Sequence, residues 1–489
     1  MDNQARQQTS RNQWIFWVVA AGFILWAVAW ACVFEPEHDE IEHFHAAWLM
    51  HQGEQPFDDF FEHHEPAFWN LLQLYYLIFG ENYGIILTAR LLTLAIFLLT
   101  SFYTFRVARF FTGPEGAWIA AFSFPLFNMS YMMANLFVRG DPLILLLLMI
   151  CLYSIIGLTQ KPVWSVREDR SLLFIFLLMG LAVAISPRAG IPVLTLFIAA
   201  GIFSLKRWKL GKSLGLFLVG GLIVCLPILI EALIYDVDHY IFWVFKFSTS
   251  IYPPFSPIRY ISKLLITAAP IWLLAVYAVW RFFKFRNQPD AAGKWIILAM
   301  AVTNFAGLWA SSRPFMQQFL TVIPFWGLLA GLGYDDLFKR LRHHLKLARF
   351  NWAGLLLLAG LIVLAGRSIP FWSNPAMTHR SAWIERAQWM VDNTSEDATF
   401  AAGMAFFHPI FMQDAVYYWF AGRYAYPTLD RLGRAPDPYT FQALRVTRPT
   451  IIHETFGEVW GFKFDPEFRQ WLEKKYEPTP YKEYWIRKQ

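Results

Sequence analysis

The stretch EPEHDEIEHFHAAWLMHQGEQPFDDFFEHHEPAFW, residues 35 to 69, concentrates carboxylates, imidazoles and aromatic rings. Asp39 and Glu40 come a few residues after an apolar run ends, at the depth where a lipid head group meets water. A carboxylate partly desolvated there can have a raised pKa and act as a general base. Equally, Asp39 with Glu42 three residues on is an acceptable helix start. In DDFFEHHEP (58 to 66), Glu62, His63, His64 and Glu65 have the ligand chemistry of zinc or manganese. Consecutive histidines cannot both face one ion in a regular helix, so the other reading is a charged turn that positions a substrate. No cofactor is certain from these residues, and a divalent metal is the one they could hold.

Arginines form the second set. FVRGDPLILLLLM (137 to 149) puts Arg139 and Asp141 at the mouth of an apolar run, with Pro142 suited to a first helical position. They are either a turn with a local ion pair or the lining of the cavity that holds Asp39, since ionisable groups at span ends are functional candidates. SPRAG (186 to 190) and SSRPFMQQF (311 to 319) each place one arginine, Arg188 and Arg313, beside proline and small residues, with Gln317 shortly after. Such arginines can snorkel to head groups, or grip a phosphate with both prongs of the guanidinium. Arg259, in a Pro-rich aromatic loop with His239 and Lys246, adds to the same positive set.

The elements that must position these residues follow from composition. The 489 residues are 56% hydrophobic, 18% aromatic and 16% charged, which is outside the usual range for soluble chains. Apolar runs of about 20 residues are long enough to cross a bilayer core roughly 30 Å thick. We place spans near 14–34, 84–106, 116–135, 142–159, 171–187, 189–205, 213–235, 261–281, 294–311, 314–333 and 352–370, about eleven in all. The first lacks a small-residue cleavage site and reads as a retained span rather than a signal peptide. Basic clusters fall on alternate loops, on the side of Arg6 and Arg11, so the positive-inside rule puts the N-terminus in the cytoplasm of a plasma (inner) membrane protein. That rule also accounts for the net charge of +6 without a nucleic-acid partner. The three cysteines lie in apolar runs and act as small hydrophobes.

With an odd span count, the loop 35–83, the arginine-bearing turns and residues 371–489 share the outer face. In that loop IEHFHAAWLMHQG and PAFWNLLQLYYLIFG read as two surface-lying helices, with Trp48, Trp69, Tyr75 and Tyr76 as interface anchors. Residues 1–370 are thus expected to be an all-α membrane unit. Residues 371–489 are polar, with strand-like ATFAAGM and PTIIHETF between helical segments such as SAWIERAQWMVDN, and predict a small α/β domain.

These motifs, in this order and on one side, resemble the GT-C fold of lipid-dependent glycosyltransferases, near the protein O-mannosyltransferase and lipid A aminoarabinose transferase branch. The resemblance spans roughly residues 14 to 335 and rests on HDE after the first span, HHEPAFWNLL, RGDPLILLLLM and SPRAGIPVL. It implies that Asp39 is the base that deprotonates the acceptor hydroxyl. Asp141 is then the second acid, and Arg188 contacts the donor phosphate where related transferases have a lysine. It also implies an inverting transfer from a polyprenyl-phosphate sugar, such as an undecaprenyl phosphate donor, to a lipid, glycan or protein acceptor of the cell envelope. EHHEP departs from the residues those transferases carry before the proline. The alternative class, a lipid-linked sugar transporter or flippase, predicts ionisable groups in mid-span; Arg90 and Glu231 are the nearest cases, both close to span ends.

Overall fold

The computed structural model describes residues 14–161, 166–207, 210–252, 256, 258–284, 291–310, 316–345, 351–374, 380–420, 425–434 and 441–488. The chain is mostly helical. In order it forms α1 (Trp14–Val33), α2 (His38–His51), α3 (Pro66–Phe79), α4 (Gly84–Ala108), α5 (Pro114–Phe127), α6 (Met129–Leu136), α7 (Gly140–Thr159), α8 (Val166–Ile185) and α9 (Gly190–Arg207). Then come α10 (Leu210–Ile234), α11 (Ile258–Thr267), α12 (Ala269–Lys284), α13 (Ala291–Gly307), α14 (Ile323–Leu345) and α15 (Trp352–Trp372).

Six helices have the length and apolarity of a membrane span: α1, α4, α7, the turn-plus-helix Pro187–Leu205, α10 and α15. A seventh results if α11 and α12, bent by 93° at their junction, are taken as one. Among the described residues, the remaining four of the eleven expected spans fall short of the length or apolarity of a full span. Asn128 leaves helical geometry and caps α6, which splits 116–135. Acidic Glu168 and Asp169 open α8, α13 is only 17 residues long, and 314–333 divides into a 3-10 turn, Met316–Thr321, and α14. Helices α5 and α14 approach so closely that a Cβ on Gly331 would lie 2.3 Å from the Gly116 carbonyl oxygen. Small residues of this kind bring membrane helices into backbone contact.

After α15 and α16 (Arg380–Asp392) the chain builds a sheet of β1 (Thr399–Ala401), β2 (Gln413–Asp414), β3 (Ile451–His453), β4 (Tyr476–Pro478) and β5 (Tyr484–Arg487), in the order β2-β1-β3-β5-β4. Strands β1, β2 and β3 run parallel and β5 is antiparallel to both β3 and β4. Its two central expected strands are β1 and β3, fully or nearly buried as their apolar alternation requires.

The two expected surface helices are α2 and α3, the second opened by Pro66 and closed by Gly80 at φ 70, a left-handed geometry that suits glycine. They are tied by Trp69 Nε1 donating to His43 Nδ1 at 3.1 Å and by the Tyr76 hydroxyl donating to the Phe44 carbonyl at 2.6 Å. Trp48, Trp69 and Tyr76 are therefore buried packing residues and not interface anchors. Instead, α3 exposes Leu71, Leu74, Leu77 and Ile78, a stripe with the composition of a membrane-lying face.

Candidate active site

The site forms where the C-terminal end of α1, helix α2, the start of α4 and the start of α7 meet. Helix α2 begins two residues earlier than the Asp39 start expected from sequence. Glu37 is its cap, accepting from the Asp39 amide, while Glu40 accepts from the Glu37 amide at 2.9 Å. This capping box leaves the Asp39 side chain free for another partner.

That partner is Arg139. Its guanidinium contacts Asp39 Oδ2, lies 3.3 Å from Asp141 Oδ2 and 3.7 Å from Glu37 Oε2, and is itself buried. Asp39, Asp141 and Arg139, expected to line one cavity, are thus brought together by two elements 100 residues apart. Arg139 is saturated by carboxylates, which sets it apart from a residue waiting for phosphate. The raised pKa expected for Asp39 is also corrected: burial pushes it up, but Arg139, His38, His43 and His64 together hold it well below the usual range. Its neighbours show the rise instead. Burial, then the Asp39 charge, pushes Glu37 to about 8, and burial pushes Glu65 to about 7 against the pull of His64 and Arg188.

Glu40, expected to be catalytic, is wholly buried in a strut. It takes Arg90 Nε at 2.9 Å and Nη2 at 2.5 Å, and its Oε1 accepts from the Val138 amide at 2.9 Å. Arg90 also donates to the carbonyls of Phe34 at 2.8 Å and Glu35 at 2.9 Å. A carboxylate with this set of donors has no lone pair directed at a substrate.

The EHH segment sits beside this centre. His64 Nδ1 stands 2.9 Å from Glu42 Oε1 and 3.3 Å from Glu62 Oε2, and Glu42, Glu62, His63 and His64 can present ligand atoms within 4.8 Å of one another. The 2.9 Å approach is not aligned as a hydrogen bond, and Glu42 Oε1, Glu62 Oε1 and His63 Nδ1 are buried without a hydrogen-bond partner. Two carboxylates and two imidazoles with orphaned atoms converging on one point fit a divalent cation. The backbone here is not a regular helix, which removes the objection that consecutive histidines diverge. Burial pushes Glu42 up to about 8, followed in effect by Glu62. Although burial opposes it, Glu42 holds His64 above its usual value.

Arg188, in the 3-10 turn Pro187–Ala189, is exposed and makes no ion pair among the described residues, yet its charge is felt by His63 and Glu65. Among the described residues of the expected set, it is the cation that faces the site unneutralised. Arg313 lies outside the described residues, as do the side chains of Arg259 and Gln317.

Two groups of contributors were missed. Glu37, Glu42 and His43 lie with Asp39 on α2, and the i, i+3, i+4 spacing of 39, 42 and 43 was a readable signal for one face. The second group comes from residues 406–420, which cover the site. The Phe61 amide donates to the Tyr417 carbonyl at 2.9 Å, the Tyr417 hydroxyl to the Phe57 carbonyl at 2.7 Å, and Trp419 Nε1 to the Phe61 carbonyl at 3.0 Å. No local pattern signals contacts across about 360 positions.

Glu37 yields a pH prediction. A carboxyl raised from 4.5 to about 8 by folding contributes stability that is complete below 4.5 and is lost as pH rises through about 8. Glu37→Gln is expected to keep the cap and to flatten that decline, measured as melting temperature of the detergent-solubilised chain at a series of pH values. Parallel curves for the two proteins would show that folding leaves the Glu37 carboxyl unshifted.

No family model matches the chain, and no curated protein matches it in sequence. Solved structures do match. ArnT from Cupriavidus metallidurans bound to undecaprenyl phosphate superposes with a TM-score of 0.59 at 14% identity, over 83% of this chain and 85% of that one. The archaeal oligosaccharyltransferase AglB from Archaeoglobus fulgidus, in complex with an inhibitory peptide and a dolichol-phosphate, gives 0.57 at 13% identity over 98% and 75%. The chain has the GT-C fold. A further A. fulgidus oligosaccharyltransferase, in complex with Zn and sulfate, gives 0.51 at 11% identity over 81% of this chain and 62% of that one. In GT-C terms the likeness to AglB extends over residues 371–489 as well, beyond the reach of the motif resemblance.

Proposed function

We propose that this chain is a GT-C glycosyltransferase that moves a sugar from a polyprenyl-phosphate donor to an acceptor at the outer face of the plasma membrane, with inversion. The observation that carries this reading is the Asp39, Arg139 and Asp141 centre beside Arg188, which has no ion pair among the described residues, in a GT-C fold. The undecaprenyl phosphate held by ArnT and the dolichol-phosphate held by AglB support the donor class. About eleven spans, a cytoplasmic N-terminus and an outer C-terminal unit from residue 371 complete the proposal.

In the reaction the acceptor oxygen attacks the anomeric carbon, the bond from that carbon to the phosphate oxygen breaks, and the acceptor proton passes to a carboxylate. Asp39 is that carboxylate, held in position by Arg139, with Asp141 on the same guanidinium orienting the acceptor. The polyprenyl phosphate leaves with more charge than it had as a diester, so a cation aimed at it favours the transition state over the ground state. Arg188 is that cation. Glu42, Glu62, His63 and His64 would hold a divalent ion, which supplies further positive charge against the leaving phosphate; the Zn complex of the third neighbour is in keeping with such an ion.

Arg188→Ala is expected to weaken polyprenyl-phosphate binding by about 10- to 150-fold, the 1.5–3 kcal/mol of a charged hydrogen bond. Unchanged affinity for the lipid phosphate would take Arg188 out of the donor site. The whole reading is tested by mass spectrometry of cell-envelope extracts with and without the protein. One acceptor should lose a sugar while the lipid-linked sugar accumulates. Lipid translocation in liposomes without a covalent product would overturn it in favour of a flippase. Ionisable groups in the spans do not favour that alternative: Arg90 reaches Glu40 at the α2 end of its helix, and Glu231 is bonded to Tyr240 at 3.0 Å beside the end of α10.

A further inference from the structure

Away from the Asp39 centre, a second polar cluster is buried between α2 and the C-terminal sheet. It consists of His45 on α2, His408 after the 3-10 turn Ala405–Phe407, and Asp414 at the end of β2. His45 and His408 are 0% and 1% exposed and are packed by Trp419 and Phe400. Asp414 Oδ2 is 3.0 Å from His45 Nε2, and Asp414 Oδ1 is 3.0 Å from His408 Nε2. On its other edge His45 Nδ1 lies 2.6 Å from the Ile410 carbonyl oxygen. Ile410 takes a left-handed φ of 64, a costly geometry for a β-branched residue, and its carbonyl meets the ring.

That carbonyl can only accept, so Nδ1 of His45 carries the proton. Nε2 then directs a lone pair at a carboxylate oxygen, and a cation must lie between them. A histidine that donates one ring nitrogen to a backbone carbonyl and turns the other toward a carboxylate is oriented as a metal ligand is by its outer partners. We propose that His45, His408 and Asp414 form a zinc-class divalent metal site, separate from Glu42, Glu62, His63 and His64. Two imidazoles and one carboxylate suit this class of ion, whose bonds of about 2.0–2.2 Å are within reach of ligand atoms that lie within 4.8 Å of one another. The ion joins helix α2, which carries Asp39, to the sheet that covers the site.

The test uses the full-length chain, free of affinity tags and purified in detergent without chelator, then equilibrated with zinc and desalted. Metal analysis should find one zinc equivalent in Glu62→Gln that is absent from the Glu62→Gln, His408→Asn double variant. X-ray absorption of zinc bound to Glu62→Gln should show two imidazoles in the ligand shell. Chelation should lower the melting temperature of that protein and added zinc restore it, an effect missing from the Glu62→Gln, Asp414→Asn double variant. Equal zinc content in the Glu62→Gln and double variants would overturn the site. A ligand shell without imidazole would overturn it too, even if the His408 and Asp414 variants fail to fold. Absence of zinc from Glu62→Gln would assign the position between His45 and Asp414 to a proton.

Discussion

Asp39→Asn is expected to slow sugar transfer by about 10²–10⁴-fold, the usual contribution of a positioned base, with expression and donor affinity near those of the wild type. Asparagine keeps the shape of the side chain and an oxygen for Arg139, and Asp141 remains as a carboxylate on the same guanidinium. The fold therefore has no reason to fail, and the loss is confined to the step that moves the proton. Product formation by mass spectrometry and lipid-phosphate affinity, measured on one preparation, separate the two. A variant that turns over at the wild-type rate would remove Asp39 from the chemistry and leave Glu65, pushed to about 7, as the base. The pH profile distinguishes them independently. Asp39 is held charged throughout the neutral range, so any limb of activity rising through about 7 belongs to a neighbour such as Glu65, and Glu65→Gln is expected to abolish it.

Glu40→Ala is expected to cost about 3–5 kcal/mol, the penalty of leaving a buried charge without its partner. Against the 5–15 kcal/mol that holds a typical domain together, this is a large fraction, and the variant should melt far below the wild type in detergent. Arg90 is 1% exposed and would keep only the carbonyls of α1 and the residues after it. Replacing both partners, Glu40→Leu with Arg90→Met, should recover much of the loss, because an apolar pair of similar volume is often no worse than a buried ion pair. A single variant as stable as the wild type would show that the pair carries no weight.

The residues that build the site were legible where local chemistry announces them. HDE, RGD and SPR each sit at the end of an apolar run, and Asp39, Asp141 and Arg139 do converge. The α2 and α3 helices and the central strands of the sheet followed from period and punctuation. Partnership was not legible. Desolvation alone argued for a raised pKa at Asp39, and the opposing charge comes from Arg139, which lies 100 residues away in sequence and is brought beside it by the packing of α7 on α4 and by the Glu40 bond to the Val138 amide. The same limit misassigned Glu40, whose partner Arg90 read as an isolated span-end charge. The span count was legible only in part, for a different reason. Hydropathy averages over a window and misses single-residue breaks such as those at Asn128 and at the junction of α11 and α12.

The Glu40 strut has a kinematic consequence. Glu40 follows Asp39 directly, and its carboxylate also holds the amide of Val138, the residue before Arg139. Asp39, Arg139 and Asp141 therefore move as one body with the end of α1 and the start of α4. On the opposite wall, the segment 237–250 meets residues 61–65 through aromatic contacts and a Ser248 hydroxyl bond to the His63 carbonyl. The acids are therefore a fixed anvil, held at both ends of the sequence gap by one buried carboxylate.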